Sequence, residues 1–96
     1  MNVSKTRDFL VTNPQGIHLR PAGKIVEACR KYPNCSFFIS REGYEANAKS
    51  IMGVLALAVC EGESFTLRAE GPDNEIDLFF EEMQTVVDNN FYDDIV

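Results

Sequence analysis

The sequence has 96 residues, of which 45% are hydrophobic and 25% charged; this suits one globular domain and is too short for a multi-domain enzyme. Its formal net charge is −6 at pH 7, which disfavours binding to nucleic acid or to an anionic membrane surface. No apolar run approaches the ~20 residues that span a bilayer, and residues 1–8 lack the apolar core of a signal peptide, so we expect a cytoplasmic protein without membrane insertion.

The first half of the sequence predicts a strand, a helix and a strand pair. Alternating apolar residues indicate a strand over 9–11, and turn-forming residues over 13–16 indicate a loop. The amphipathic helix that follows ends near Pro33, because proline disfavours helical backbone in the residue before it. Aromatic and β-branched residues then predict a hairpin with strands over 36–40 and 44–48. The apolar seam of the first helix is Ala22, Ile25, Val26 and Cys29.

The second half predicts a helix, a strand and a helix. A short helix is expected from Ser50, and Phe65, Leu67 and Ala69 alternate with polar residues as in a half-buried strand. Residues 89–96 are acidic, and we expect a flexible tail on a single domain that spans 1–96. The apolar seams are Ile51, Leu55 and Ala58 in the short helix, and Ile76, Phe80, Met83 and Val87 in the last one.

The resulting order, β-α-β-β-α-β-α, predicts an α+β fold with two layers. Two strands that are adjacent in sequence favour an antiparallel sheet of four strands. Three helices would cover one face of that sheet and leave the other face to solvent or to partners.

Cysteine usage argues against a disulfide framework or a metal centre. Cys29, Cys35 and Cys60 are odd in number and lack Cys-x-x-Cys spacing, and the sequence contains one histidine. Zinc sites are built from cysteine and histidine at closer, paired spacings. We therefore expect free thiols, no metal and no cofactor.

The residues around His18 suit phosphate chemistry. Gly16 permits a sharp turn before His18, and Pro21 falls in the first helical turn, where a missing N–H costs little. A helix start favours anions, and the guanidinium of Arg20 can bind phosphate oxygens with two N–H groups. His18 could therefore be a nucleophile for phosphoryl transfer, or simply the cap of a helix with Arg20 as a solvated charge.

Ser50 and the apolar residues that follow it also allow two interpretations. Ser50 has the position of an N-cap, and phosphate added there would place negative charge beside an apolar patch. The apolar residues of this helix are too many to face inward together, so the surplus forms either a docking surface or ordinary exposed apolar area. They are Ile51, Met52, Val54, Leu55 and Leu57.

Two motifs resemble the HPr family, the histidine phosphocarriers of the phosphoenolpyruvate:sugar phosphotransferase system. Residues 16–22, Gly-Ile-His-Leu-Arg-Pro-Ala, are similar to the active-site segment of that family, and residues 47–53, Asn-Ala-Lys-Ser-Ile-Met-Gly, to its regulatory serine region. The resemblance covers about residues 6–88 and implies the family's open-faced β-sandwich, βαββαβα.

The resemblance also implies roles for individual residues. His18 would receive phosphate from phospho-enzyme I, on Nδ1, and pass it to enzyme IIA domains for sugar uptake, while Arg20 holds the phosphoryl group. Ser50 would be the target of a regulatory HPr kinase/phosphorylase. The protein would then be a monomeric phosphoryl-transfer intermediate rather than an independent turnover enzyme. The partner-binding surface would include Ile17, Leu19, Lys49, Ile51, Met52 and Leu55.

Alternatives remain within and outside the family. The protein could be a paralogue of the nitrogen-related phosphotransfer branch, or a regulatory module that acts through phospho-Ser50 alone. From another class, it could be a small α+β binding module without phosphate chemistry. Leu19 stands where the family more often has a small residue or threonine, and Gly23 lies inside a helix. A hydrolase is disfavoured because no metal cluster, carboxylate pair or Ser/His/Asp set accompanies His18.

Overall fold

The structure, a computed structural model, describes residues 1–93, and the predicted elements occur in the predicted order. The strands are β1 (Asn2–Leu10), β2 (Ser36–Arg41), β3 (Tyr44–Asn47) and β4 (Ser64–Pro72). The helices are α1 (Leu19–Arg30), α2 (Ile51–Ala56) and α3 (Asp73–Asp88), and a 3₁₀ turn covers Asn90–Tyr92. No helix of the described residues is long and apolar enough to cross a membrane.

The four strands form one antiparallel sheet in the order β1-β4-β2-β3. In β4, Phe65, Leu67 and Ala69 are buried and alternate with half-exposed residues, as the period-2 pattern predicts. The helices pack on this buried side, with α3 against β1 and β4 and with α1 against α2 and α3. The predicted α+β fold, an open-faced sandwich with a four-stranded antiparallel sheet, is confirmed.

Aromatic rings fill the layer between the sheet and α3. The ring centroids of Phe37 and Phe79 lie 4.3 Å apart, and those of Phe9 and Phe65 lie 5.6 Å apart. Such offset and edge contacts add to the free energy gained from burying the rings. The predicted seam of α3 is buried throughout: Ile76, Phe80, Met83 and Val87.

Strand β1 is longer than the sequence pattern predicts, since it starts at Asn2 rather than Phe9. Charged residues occupy its positions toward α3. Lys5 Nζ lies 2.8 Å from a carboxylate oxygen of Asp73 and 2.8 Å from one of Asp77, and the Arg7 guanidinium lies 5.1 Å from the ring centroid of Phe80. Because α3 pairs with these side chains rather than burying apolar ones, the strand carries no apolar alternation.

Helix α2 ends earlier than expected. Ala58, predicted on its apolar face, lies beyond the last helical residue, has a φ of +50° and is exposed. A left-handed residue cannot continue an α-helix. The core side of the segment consists of Val54 and Leu57, while Ile51 and Leu55 are half-buried.

Residues 89–93 pack against the domain, although the sequence predicts a flexible tail from Asn89. Phe91 is 1% exposed, and its ring centroid lies 6.5 Å from that of Phe65. The Thr12 hydroxyl donates to Asn90 Oδ1 at 2.6 Å. Burial of an aromatic side chain supplies the free energy that holds this segment in place. The rest of the predicted tail, residues 94–96, lies outside the described residues.

Gly16 and Gly23 should respond oppositely to alanine. A Cβ at Gly16 would lie 2.5 Å from Val59 O, at a φ of +65°, whereas a Cβ at Gly23 meets nothing within 4 Å. We expect Gly23→Ala to stabilise the fold by about 0.5–1 kcal/mol and Gly16→Ala to destabilise it by at least ~1 kcal/mol. Urea unfolding of both variants measures the difference. A destabilised Gly23→Ala would contradict an open environment at this position.

Candidate functional site

The loop before α1 is held by backbone contacts with the segment before β4. Val11 N donates to Glu63 O at 2.9 Å, Gly62 N to Val11 O at 2.8 Å and Ile17 N to Val59 O at 2.9 Å. These bonds bring Gly16 so close to Val59 that no side chain fits there. Both the positive φ of this residue and the lack of space for a Cβ therefore require glycine at the turn, as the sequence predicts.

His18 is the N-cap residue of α1, with φ −88° and ψ −161°. Its carbonyl accepts the N–H of Ala22 at 3.0 Å, and its side chain makes no capping hydrogen bond. The imidazole is 36% exposed. His18 is thus placed by the helix start through its backbone, which leaves the ring open to chemistry rather than used as a cap.

The imidazole ring has a defined partner in the C-terminal segment. Nε2 of His18 lies 2.7 Å from Oδ2 of Asp93, and the Asp93 side chain is only 7% exposed. An ionised carboxylate only accepts hydrogen bonds, so the Nε2–H of His18 is the donor. The other ring nitrogen, Nδ1, then carries the lone pair in the neutral imidazole.

Arg20 lies in the first turn of α1 and is exposed. Pro21 follows it in the same turn, and its side chain is buried. The first N–H groups of a helix have no intrahelical acceptor and favour an anion nearby. The helix start and the Arg20 guanidinium therefore lie within one turn of His18.

Ser50 is the N-cap of α2, as its position in the sequence predicts. Its φ is −112° and its ψ 118°, and its Oγ accepts the N–H of Gly53 at 3.1 Å. The residue is half-exposed. Its hydroxyl is therefore both a structural cap and within reach of solvent.

Two of the predicted partner-binding residues are strongly exposed. Leu19, next to His18, is 64% exposed, and Met52, in the first turn of α2, is 76% exposed. Ile51 and Leu55 are half-buried against the core. Ile51 shares a shallow depression with Gly23 and Glu27 of α1, and Leu19, Gly23 and Glu27 follow one another at i, i+4 spacing on one helix face.

Ile17 and Lys49 do not match a docking role in their side chains. Ile17 is 5% exposed and belongs to the core, because the loop contacts turn it inward beneath α1. The Lys49 ammonium donates to Cys35 O at 2.7 Å and to Tyr32 O at 3.2 Å, so it holds the turn between α1 and β2. The other predicted partner-binding residues, Leu19, Ile51, Met52 and Leu55, are exposed or half-buried.

Sequence reasoning missed two features of the site. Asp93 was assigned to a flexible tail, and only the buried Phe91 two residues before it could have indicated a docked segment. The sequence places Gly23 inside a helix, and in the structure this glycine lines the depression beside Ile51.

Comparison with known proteins identifies the class of the chain. The family model of the PTS HPr component phosphorylation site matches residues 5–89. The chain belongs to the HPr family. It is 40% identical to the phosphocarrier protein HPr of Lysinibacillus sphaericus over 83 residues. This stretch covers 86% of the present chain and 91% of that protein. HPr proteins are phosphocarriers of the phosphotransferase system, and the predicted family is confirmed.

Solved structures of the HPr family share the fold. HPr-C-His from Thermoanaerobacter tengcongensis matches with a TM-score of 0.82 and 27% identity, over 95% of this chain and 99% of that one. An HPr dimer from the same organism matches with a TM-score of 0.59 and 31% identity, over 78% and 87% of the two chains. The family match ends at residue 89, so Asp93 lies outside the segment that defines the family.

The three thiols of this HPr-family chain should differ sharply in reactivity. Burial raises the pKa of Cys29 to about 12 and also raises the pKa of Cys35, whereas Cys60 is exposed. Only the thiolate reacts rapidly with alkylating reagents. Iodoacetamide at about pH 8 should add one group to the native protein, at Cys60, and none to Cys60→Ser. Mass spectrometry that found Cys29 modified in the native state would contradict this assignment.

Proposed function

We propose that His18 accepts a phosphoryl group from phospho-enzyme I and passes it to enzyme IIA domains. The observation that carries this proposal is the half-exposed imidazole at the start of α1, inside the segment matched as the phosphorylation site of the family. The reaction needs a nitrogen nucleophile and positive charge where phosphate oxygens arrive. Arg20 and the helix start meet the second need.

Nδ1 is the nitrogen that we propose is phosphorylated. Nε2 is engaged with Asp93 at 2.7 Å, which supports the assignment of the attacking lone pair to Nδ1. Arg20 can bind two phosphate oxygens with one planar group and so hold the transferred phosphate in line. Phosphoryl transfer depends mainly on such positioning and on charge stabilisation.

The docking face of Leu19, Ile51, Met52 and Leu55 would receive both donor and acceptor proteins. It combines two strongly exposed apolar side chains with two half-buried ones beside His18 and α1. A partner that covered these side chains would gain free energy in proportion to the apolar area removed from water. We assign the active form as a monomer, because both partners must reach His18 in turn.

Replacing His18 tests the central proposal. His18→Ala would leave the Asp93 carboxylate without its donor, so His18→Gln, whose amide can still donate, is the cleaner variant. Incubation with enzyme I and labelled phosphoenolpyruvate should label wild type with acid-labile, alkali-stable phosphate and leave His18→Gln unlabelled. A thermal melt checks that the variant folds. Label retained in a folded His18→Gln protein would sink the proposal, since the sequence has no second histidine.

Regulation through Ser50 is a second part of the proposal. The residue is half-exposed and caps α2 next to the exposed Met52, which supports modification by an HPr kinase/phosphorylase. A phosphate there would add about two negative charges beside the docking face. Docking would then require desolvation of that charge, while the N-cap position tolerates it.

Ser50→Asp should separate docking from folding. Aspartate is a good N-cap, so the melting temperature should change little, whereas binding to enzyme I should weaken by about tenfold, the cost of desolvating one polar group. Ser50→Ala is the matched control: it should lose ~1 kcal/mol of stability and bind normally. Titration calorimetry that gave equal affinities for wild type and Ser50→Asp would reduce Ser50 to a cap alone.

A further inference from the structure

The contact between His18 and Asp93 joins residues that are 75 positions apart in the chain. Asp93 Oδ2 lies 2.7 Å from Nε2, and the carboxylate is 7% exposed while the imidazole is 36% exposed. The carboxylate thus lies on the inner side of the ring, where it does not block solvent access to His18. This arrangement is that of a group that orients a reactive side chain.

We propose that Asp93 is a positioning residue that keeps the hydrogen of neutral His18 on Nε2 and thereby directs phosphorylation to Nδ1. The proposal rests on the phosphoryl-acceptor function proposed above. A carboxylate has no hydrogen to donate, so the tautomer with hydrogen on Nδ1 would place two lone pairs against each other at Nε2. The ring is therefore held in one tautomer as well as in one orientation.

The same carboxylate also suits the phosphorylated state. In transfer, the Nδ1 lone pair forms the N–P bond while the bond between phosphorus and the donor's leaving atom breaks, and the donor keeps that electron pair. The hydrogen on Nε2 stays in place, so the phosphorylated ring becomes an imidazolium with a positive charge. Asp93 faces that charge at hydrogen-bond distance, and return of the phosphate to an acceptor restores the neutral ring.

The segment that carries Asp93 has an unusual backbone conformation and is anchored by a buried side chain. Asn90, Phe91 and Tyr92 have φ values of +52°, +59° and +54° in succession, a conformation that residues other than glycine adopt singly and rarely. Phe91 is buried, and Asp93 N donates to Asn90 O at 3.0 Å. Strained backbone of this kind persists where surrounding contacts impose it, and it is frequent at functional sites.

Charged residues of α1 surround this end of the molecule. Arg20 lies in the first turn of the helix, and Lys24 Nζ lies 5.9 Å from the ring centroid of Tyr92. Both are positive and cannot replace Asp93 as acceptors for Nε2–H. Among the described residues, Asp93 is the carboxylate in hydrogen-bond contact with the His18 ring.

Asp93→Asn is the sharpest test because it keeps the shape of the side chain. The amide can accept from Nε2–H or donate to an unprotonated Nε2, so it no longer selects one tautomer. Asp77→Asn is the matched control, since it removes an equal charge that faces Lys5 instead of His18. Nitrogen-15 spectra of the neutral imidazole, recorded under alkaline conditions, report the tautomer without any phosphate. Phosphate uptake from phospho-enzyme I is then measured on the same samples.

Wild type and Asp77→Asn should show a single Nε2–H tautomer and equal rates of phosphate uptake. Asp93→Asn should show both tautomers and accept phosphate about tenfold more slowly, the scale of a lost charged hydrogen bond. An unchanged spectrum, or an unchanged rate in spite of mixed tautomers, would overturn the role of Asp93. If wild type took no phosphate, the proposed function would fail, and the spectra would still decide whether Asp93 sets the tautomer.

Discussion

The position of His18 depends on the close approach of two backbone segments, residues 11–17 and 59–63. Three main-chain hydrogen bonds join them, and Gly16 leaves no space for a side chain between them. The second segment is itself braced, because Glu63 accepts from the N–H of Cys60 at 2.8 Å and pairs with Arg41 of β2. These contacts lower the pKa of the Glu63 carboxyl, first through the Cys60 N–H and then through Arg41. The start of α1 is thus fixed to the sheet rather than to a free loop.

Three parts of the chain contribute to the candidate site around this anchored start of α1. The helix start presents His18 and Arg20, α2 contributes Ser50 and Met52, and the segment after α3 supplies Asp93. The rigid core under these parts is the aromatic layer between the sheet and α3. Phe91 belongs to that layer through Phe65, so the packing that stabilises the fold also positions the carboxylate beside the imidazole.

Local patterns in the sequence are sufficient to predict most of the fold and the capping position of one candidate site residue, Ser50. The alternation in β4, the seam of α3 and the capping position of Ser50 depend on neighbours within a few residues, and all three appear in the structure. Asp93 could not be predicted in this way, because its contact spans 75 residues and rests on a left-handed turn that no local preference favours. The burial of Ile17 has a related cause: although it adjoins the part-exposed His18, its backbone is bonded to the distant segment at Val59.

The charged residues on the inner face of β1 affect how readily the exposed edge of the sheet could pair with another strand. β1 pairs with β4 alone, so it is an edge strand, and nine residues of extended backbone could template the addition of a foreign strand. Lys5 and Arg7 oppose this, since a strand added beside β1 would have to place its own inner side chains next to these two inward-pointing charges. The inward charges of β1 thereby lower the tendency of this edge to pair with a strand of another molecule.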